Sequence, residues 1–407
     1  MLSAISHQQR TMDFKLTTEQ EMIRDMTRDF TEKTIKPVAA RLDEEKRFPY
    51  ENLKKMAELG LMGMNIPFNY GGSDAGAVSS SLVITEIAKG CASHAVTTSV
   101  TNMVAEVIYQ FGKEEVRTKH VPKLCNGEYP AGAFAITEPH TGSDVANIRT
   151  SAMREGTNYI LNGSKSLISS GEAAGVLVVW AVTDRNVRKG KGLSAFVVEK
   201  GTPGFRVGKA EGKMGHQASQ TNELIFDNCV IPDPCLLGHE GEGFKIAMIE
   251  LDGGRIGIDS LAAGVGFSAI NFATDYVKER EAFGKSLSSF EAIQWMIADS
   301  YTELEAAQLL VLRAAYLKET GQSYTKEASM AKLFATETAR NVALRAVQML
   351  GGYGYTRDYP VERYLRDIIG TTLYEGTSEI QRIVIAREIL NDRFRREKNG
   401  PITTNHG

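Results

Sequence analysis

The hydrophobic period of this chain changes twice along its length. A chain that passes from a helical repeat to a strand repeat and back must build distinct layers rather than one repeated unit. Up to residue 127, Met22, Ile23, Met26 and Phe30 recur every three to four residues, and Leu53, Met56 and Leu59 do the same. Between 128 and 243 the texture becomes short β-type runs: Tyr159 to Leu161, Val176 to Val182, Leu193 to Val198 and Leu224 to Phe226. Turn signals at Glu155-Gly156, Asn162-Gly163 and Gly190 to Gly192 separate them. The gaps hold no crossover helices, which predicts an antiparallel β domain. From 244 to 395 the helical period returns in three longer stripes: Ile258 to Tyr276, Ile293 to Val311 and Ala328 to Ala346. A further helix after 379 makes a four-helix bundle. The expected class is α+β: an N-terminal helical domain over 12–127, a central antiparallel β domain over 128–243 and a C-terminal bundle over 244–395. Residues 1–11 are polar and patternless before Met12-Asp13-Phe14, and read as a tag, an alternative start or a weak targeting segment.

A length of 407 residues with 42% hydrophobic content suffices for two or three packed domains. A net charge of -3 gives no positive field to draw the chain to phosphate backbones or anionic lipid. No stretch approaches the ~20 apolar residues of a membrane span, and no signal-peptide pattern opens the chain, so an intracellular protein is expected. Cys91, Cys125, Cys229 and Cys235 form no CxxC pair and the seven histidines no HExxH, so metal-ligand spacing is absent. Four dispersed thiols suit a reducing compartment as small core residues.

Two apparent nucleotide motifs fail on context. Gly264, Gly266 and Ala269 fit G-x-G-x-x-A but lie within the first stripe of the bundle with no strand before them. Gly284-Lys285-Ser286 has Glu279 where a Walker motif needs glycine. Two other stretches carry chemistry. Tyr374-Glu375-Gly376-Thr377-Ser378-Glu379 places a carboxylate just ahead of a helix that Thr377 or Ser378 can cap, beside a glycine that admits a substrate to the backbone. Ile136 to Asp144 packs hydroxyls, a proline and a glycine into one tight loop. It reads equally as a cradle for anionic oxygens or a carbonyl-rich ring and as a plain turn.

That loop resembles the one in the acyl-CoA dehydrogenases, and seven more motifs follow in the family's order. They are Asn162-Gly163-Ser164-Lys165, Met214-Gly215, Phe226-Asp227, Leu251 to Arg255, Arg280 with Ala282-Phe283-Gly284, Gln348 to Gly352, and Tyr374 to Thr377. The resemblance spans roughly residues 15 to 392. It implies FAD held between β domain and bundle, a homotetramer, electron-transferring flavoprotein as acceptor, and α,β-dehydrogenation of an acyl-CoA. A bacterial member would be cytoplasmic, a eukaryotic one in the mitochondrial matrix. By the same resemblance Glu375 is the base for the α proton and the Gly376 N–H polarises the thioester carbonyl. Phe134, Ile136, Thr137, Gly142, Ser143, Leu167, Ser169, Thr377 and Glu379 contact FAD. Arg280, Phe283, Glu291, Gln348, Gly351 and Gly352 reach its adenosine and pyrophosphate part, bound mainly to a neighbouring subunit. Ser143, Asp252, Arg255, Tyr374 and Gly376 contact the acyl-CoA.

Three positions depart from the family pattern: Leu167 replaces an aromatic cover, Ser169 a threonine, and Glu291 a glutamine. Gly254 stands where some members carry the base instead, which favours Glu375. The texture is nearest the short- and branched-chain members. Thr97, Thr98, Thr101 and Asn102 should make the acyl region polar, leaving short polar, branched or aryl-substituted groups open. An acyl-CoA oxidase using oxygen, or a helical interaction protein without catalysis, are the alternatives.

Overall fold

The structure, a computed structural model, describes residues 15–398, with side chains to 391. The extension at 1–11 and Met12 to Phe14 lie outside the described residues. The first block is helical: α1 (Thr18–Phe30) runs through one π turn (Thr31–Ile35) into α2 (Lys36–Glu45). It continues with α3 (Tyr50–Glu58), α4 (Gly76–Gly90), α5 (Ala92–Phe111) and α6 (Glu114–Cys125). Thr17 starts α1 with a full capping box, exchanging hydrogen bonds with Gln20. Every residue of α5 from Ala92 to Ile108 is buried, because this helix lies between the sheet and the bundle.

The middle block is one eight-stranded sheet: β1 (Ala131–Ala135), β2 (Ser151–Glu155), β3 (Asn158–Ser169), β4 (Ala174–Val182), β5 (Leu193–Glu199), β6 (Phe205–Ala210), β7 (Thr221–Pro232) and β8 (Leu236–Leu237). The order is β6-β7-β3-β2-β4-β5-β8, antiparallel except where β4 meets β2 at its end and where β1 pairs β4 in parallel. The sequence offered no sign of β1. Ala131-Gly132-Ala133-Phe134-Ala135 is built of small residues because α5 presses on it, and a Cβ on Gly132 would stand 2.8 Å from Val104. Neither β2 nor the half-exposed edge strand β6 has an unbroken apolar run, so both were missed.

The last block comprises α7 (Gly243–Glu279), α8 (Glu291–Glu319), α9 (Thr325–Leu350) and α11 (Ser378–Lys398), with a shorter α10 (Val361–Thr371) that the stripes did not predict. Much of α10 is polar: Arg366 spans Glu362 at 2.6 Å and Asp43 at 2.7 Å. Helix α7 is long and apolar enough to cross a membrane by length and composition, yet 72% of its apolar 18-residue window is buried inside the fold. Its Gly264 and Gly266 are packing glycines. A Cβ on the first would lie 2.3 Å from the Thr85 carbonyl of α4, and on the second 2.5 Å from Leu304 of α8. The G-x-G-x-x-A spacing therefore reflects close helix crossing. Cys91, Cys125 and Cys229 are buried, Cys235 is half-buried, and all four are free.

Candidate active site

The connection from α10 to α11 is short and sharply turned. Glu375 adopts φ 51° and Gly376 φ 89°, so the chain passes through two left-handed residues before the helix begins. Thr377 caps α11 by accepting from the Ile380 N–H at 3.3 Å. The Gly376 carbonyl accepts from Lys332 Nζ at 2.8 Å and from Gln381 Nε2 at 2.9 Å, and the Glu375 carbonyl accepts from Gln381 at 3.3 Å. Two donors, making three hydrogen bonds, thus clamp the strained turn, and among the described residues the Gly376 N–H has no acceptor. Tyr374 anchors the turn to the β domain. Its hydroxyl lies 3.3 Å from His216 Nε2, and the His216 backbone N–H donates to Asp367 at 2.6 Å. The Met214-Gly215 pair has a packing reason: a Cβ on Gly215 would lie 2.4 Å from the Arg366 carbonyl of α10.

Glu375 turns its carboxylate inward. Oε2 is enclosed and has no hydrogen-bond partner among the described residues. A Cβ on Gly254 would stand 2.7 Å from that oxygen and 2.7 Å from Met103 Sδ, so the absence of a side chain at 254 makes the space the carboxylate faces. Burial pushes the Glu375 carboxyl up to about 7, against the opposing charges of Lys332 and Arg255. Lys332, fully buried on α9, is pulled down to about 8 by burial, although Asp259 and Glu375 favour its charge. Asp259 is wholly enclosed on α7 with neither oxygen bonded, and burial raises its carboxyl strongly.

Arg255 and Asp252 form a contact pair one turn apart on α7. Asp252 also accepts from Thr325 at 2.5 Å, and Arg255 reaches Ser329 at 3.3 Å. With Arg255 only 4% exposed, this is a buried pair and not a solvated surface one. Ser143 and Gly142 are exposed on their loop, apart from this cluster.

The expected polarity of the α5 segment does not hold. Thr97 and Thr98 return their hydroxyls to the carbonyls of Ser93 and His94 at 2.9 Å, and Thr101 accepts from the Gly132 N–H at 3.3 Å. Asn102 accepts from the Gly63 N–H at 2.5 Å. Helical back-bonding and loop anchoring use up these groups. Asn102 and, one turn further along, Glu106 nevertheless join Met103, Glu250, Gly254 and Lys318 in lining a cavity of about 30 Å³. A larger one of about 140 Å³, between Tyr50, Leu124 and Tyr129, has no residue in common with the Glu375 cluster.

The positions expected to meet FAD divide in two. Thr137 and Leu167 come together where the Ser166 N–H donates to the Thr137 carbonyl at 3.0 Å; Ser169 ends the same strand, β3. Leu167 is 63% exposed at φ 57°, presenting an aliphatic face with no neighbour to fill it. Ile136 has a buried side chain, and its carbonyl accepts from Lys165 at 3.2 Å. Phe134 packs on Trp180 at 4.2 Å within the fold. At the far end of the bundle, Phe283 is 95% exposed, Arg280 lies over the Tyr353 ring at 6.0 Å without a carboxylate partner among the described residues, and Gln348 is exposed. A Cβ on Gly351 or Gly352 would meet nothing within 4 Å. Open glycines, a guanidinium without a carboxylate partner among the described residues and an exposed aromatic fit the phosphate and adenine parts of a dinucleotide. Glu291 opens α8, where a carboxylate complements the helix dipole, so its charge has a local reason. Glu379, exposed in the first turn of α11, is in the same position.

Lys332, Asp259, Glu250, Glu106 and Lys318 were missed. Each is a charged residue within a long helix, and the interruption of an apolar stripe was the only sequence signal that could have marked them.

Known proteins bear on this geometry. The N-terminal, middle and C-terminal domains of acyl-CoA dehydrogenase match residues 17–128, 133–229 and 241–390. The chain is 48% identical over 393 residues to acryloyl-CoA reductase (NADH) of Anaerotignum propionicum, covering 96% of this chain and 99% of that one. It is 47% identical over 381 residues to the short-chain specific acyl-CoA dehydrogenase of Clostridium acetobutylicum, covering 93% and 100%. A chain in the structure of the electron transferring flavoprotein of Acidaminococcus fermentans superposes with a TM-score of 0.92 at 46% identity, covering 94% and 100%. Other similar folds have been solved with FAD or FADH2 bound. Matches over all three domains and along nearly the whole length of these relatives establish that the chain belongs to the acyl-CoA dehydrogenase family.

Proposed function

We propose that Glu375 is the base with which this FAD-dependent acyl-CoA dehydrogenase removes the α proton of a short-chain acyl-CoA. The observation that carries the assignment is the enclosed, unpartnered Oε2 facing the space left by Gly254. A carboxyl poised at about 7 is half ionised near neutrality, close to the optimum for general-base work. The free Gly376 N–H can donate to the thioester oxygen as negative charge develops there, and the clamp from Lys332 and Gln381 holds that donor in place beforehand. Bound FAD supplies the two-electron acceptor for the hydride leaving the β carbon. Thr137, Leu167 and Ser169 would border its ring system. Arg280, Phe283, Gln348, Gly351 and Gly352 would take its adenosine and pyrophosphate from a second subunit of a homotetramer. Asp252, Arg255 and Ser143 would contact CoA.

The family membership and the likeness to a chain solved with an electron transferring flavoprotein support such a protein as electron acceptor. The free thiols suit a reducing cell compartment. Microscopic reversibility lets the same Glu375 return a proton to the α carbon when the reaction runs toward reduction, the direction named for the Anaerotignum relative. Anaerobic titration with butyryl-CoA tests the assignment: the flavin band should bleach with the native protein and remain with Glu375→Gln. Equal bleaching of both would reject Glu375.

A further inference from the structure

We infer that Glu250 is a specificity-determining residue selecting acyl groups that carry a neutral oxygen, a hydroxyl or keto group, near the end of the chain; this rests on the assignment of Glu375 as base. The cavity of about 30 Å³ shares two residues with the surroundings of the Glu375 carboxylate. Gly254 and Met103 line it, and a Cβ built on Gly254 would lie 2.7 Å from both Met103 Sδ and Glu375 Oε2. Its lining also includes the charged side chains of Glu106, Glu250 and Lys318. Glu250 lies on α7 one turn before Gly254, roughly 6 Å along the axis, is 3% exposed, and holds Oε1 with no hydrogen-bond partner.

Beside it, Lys318 donates to Glu106 Oε2 at 2.6 Å, and Asn65 donates to Glu106 Oε1 at 2.7 Å. Glu106 is therefore satisfied and Lys318 neutralised, while Glu250 alone lacks a partner. A carboxyl oxygen enclosed in this way costs free energy unless something bonds to it, so a plain alkyl tail would leave that cost in place and an oxygen-bearing tail would relieve it. Burial, with the Glu106 charge adding and Lys318 opposing, raises the Glu250 carboxyl to about 8, so near neutrality it carries a proton to donate. Because the Lys318 charge is already taken by Glu106, a second carboxylate on the substrate would enter without a free counter-charge. The small volume limits the group to a terminus such as hydroxymethyl.

The test uses the holoenzyme under anaerobic conditions and compares the rates at which valeryl-CoA, 5-hydroxyvaleryl-CoA and glutaryl-CoA reduce the flavin, with butyryl-CoA as the reference. The expected result is a kcat/KM for 5-hydroxyvaleryl-CoA at least about tenfold above that for valeryl-CoA. Glu250→Leu should reverse that ratio, chiefly through KM, and Glu250→Gln, which keeps a donor, should retain it. Faster reduction by valeryl-CoA, faster reduction by glutaryl-CoA, or a ratio unmoved by Glu250→Leu would each overturn the inference while leaving Glu375 as base. Failure of every thioester, butyryl-CoA included, would take both readings down together.

Discussion

Two carboxylates in different domains, one buried and one half-buried with a single enclosed oxygen, were given opposite surroundings. In the β domain Glu138, 4% exposed, accepts from Lys165 at 2.8 Å and from the N–H groups of Arg149 at 2.6 Å and Thr150 at 2.9 Å. Burial pushes its carboxyl up, but the Lys165 charge and these hydrogen bonds outweigh burial and hold it below the usual range. At the edge of the bundle Glu375 has an enclosed oxygen with no partner and sits at about 7. Enclosure is common to both; the number of donors differs. A fully bonded acid is a fixed charge that pins a loop to strand β3, whereas an acid deprived of donors can gain and lose a proton near neutral pH.

The contrast can be broken by exchanging what each acid can do. Glu375→Gln should reduce flavin bleaching by butyryl-CoA about 10² to 10⁴-fold, while the protein purifies with FAD and unfolds near the native temperature. Lys165→Met should do the reverse: leaving Glu138 buried without its cation, it should cost about 3–5 kcal/mol, measured by urea unfolding, with the folded fraction still turning over. If instead Lys165→Met left stability unchanged, the two acids would not differ in kind. A smaller effect is expected from Gly254→Ala, whose methyl group would enter the space faced by Glu375 Oε2. A displacement of the carboxylate should lower turnover by up to about 10², with little loss of stability.

The finest test is the pH dependence, where the two acids carry opposite signs. Flavin reduction should rise as pH passes through about 7 and Glu375 ionises. For stability, a folded carboxyl raised above its unfolded value of about 4.3 contributes fully below that value and loses the contribution as pH rises through about 7. Glu138, lowered in the folded state, contributes above about pH 4.3 and loses the contribution as pH falls. Unfolding midpoints at about pH 5 and about pH 8 should therefore show Glu375→Gln gaining on the native protein at the higher pH. The same shift for Glu138→Gln would contradict the comparison.

Much of this was legible in the residues because the relevant physics is local. The change from period 3.6 to period 2 at the start of the sheet, and back at α7, follows from which side chains can face a core, and it determined the three-layer order. The turn at Tyr374 to Thr377 could be read because a glycine beside a helix cap has few uses. What stayed hidden depends on neighbours distant in sequence. β1 could not be read because its alanines answer to α5. The hydroxyls of Thr97, Thr98 and Thr101 looked free in one dimension, and proved to be bonded once the helix and β1 closed on them. The amino-acid order alone thus determined that an acid and a glycine meet at the head of the last helix. Only the packing of α7 against α5 and α9 decided that Glu375 would be stripped of donors, that Lys332 would brace its turn, and that Glu250 would be sealed beside the same cavity. Charge and hydrogen-bond satisfaction are set by what surrounds a group in space, and no run of consecutive residues carries that information.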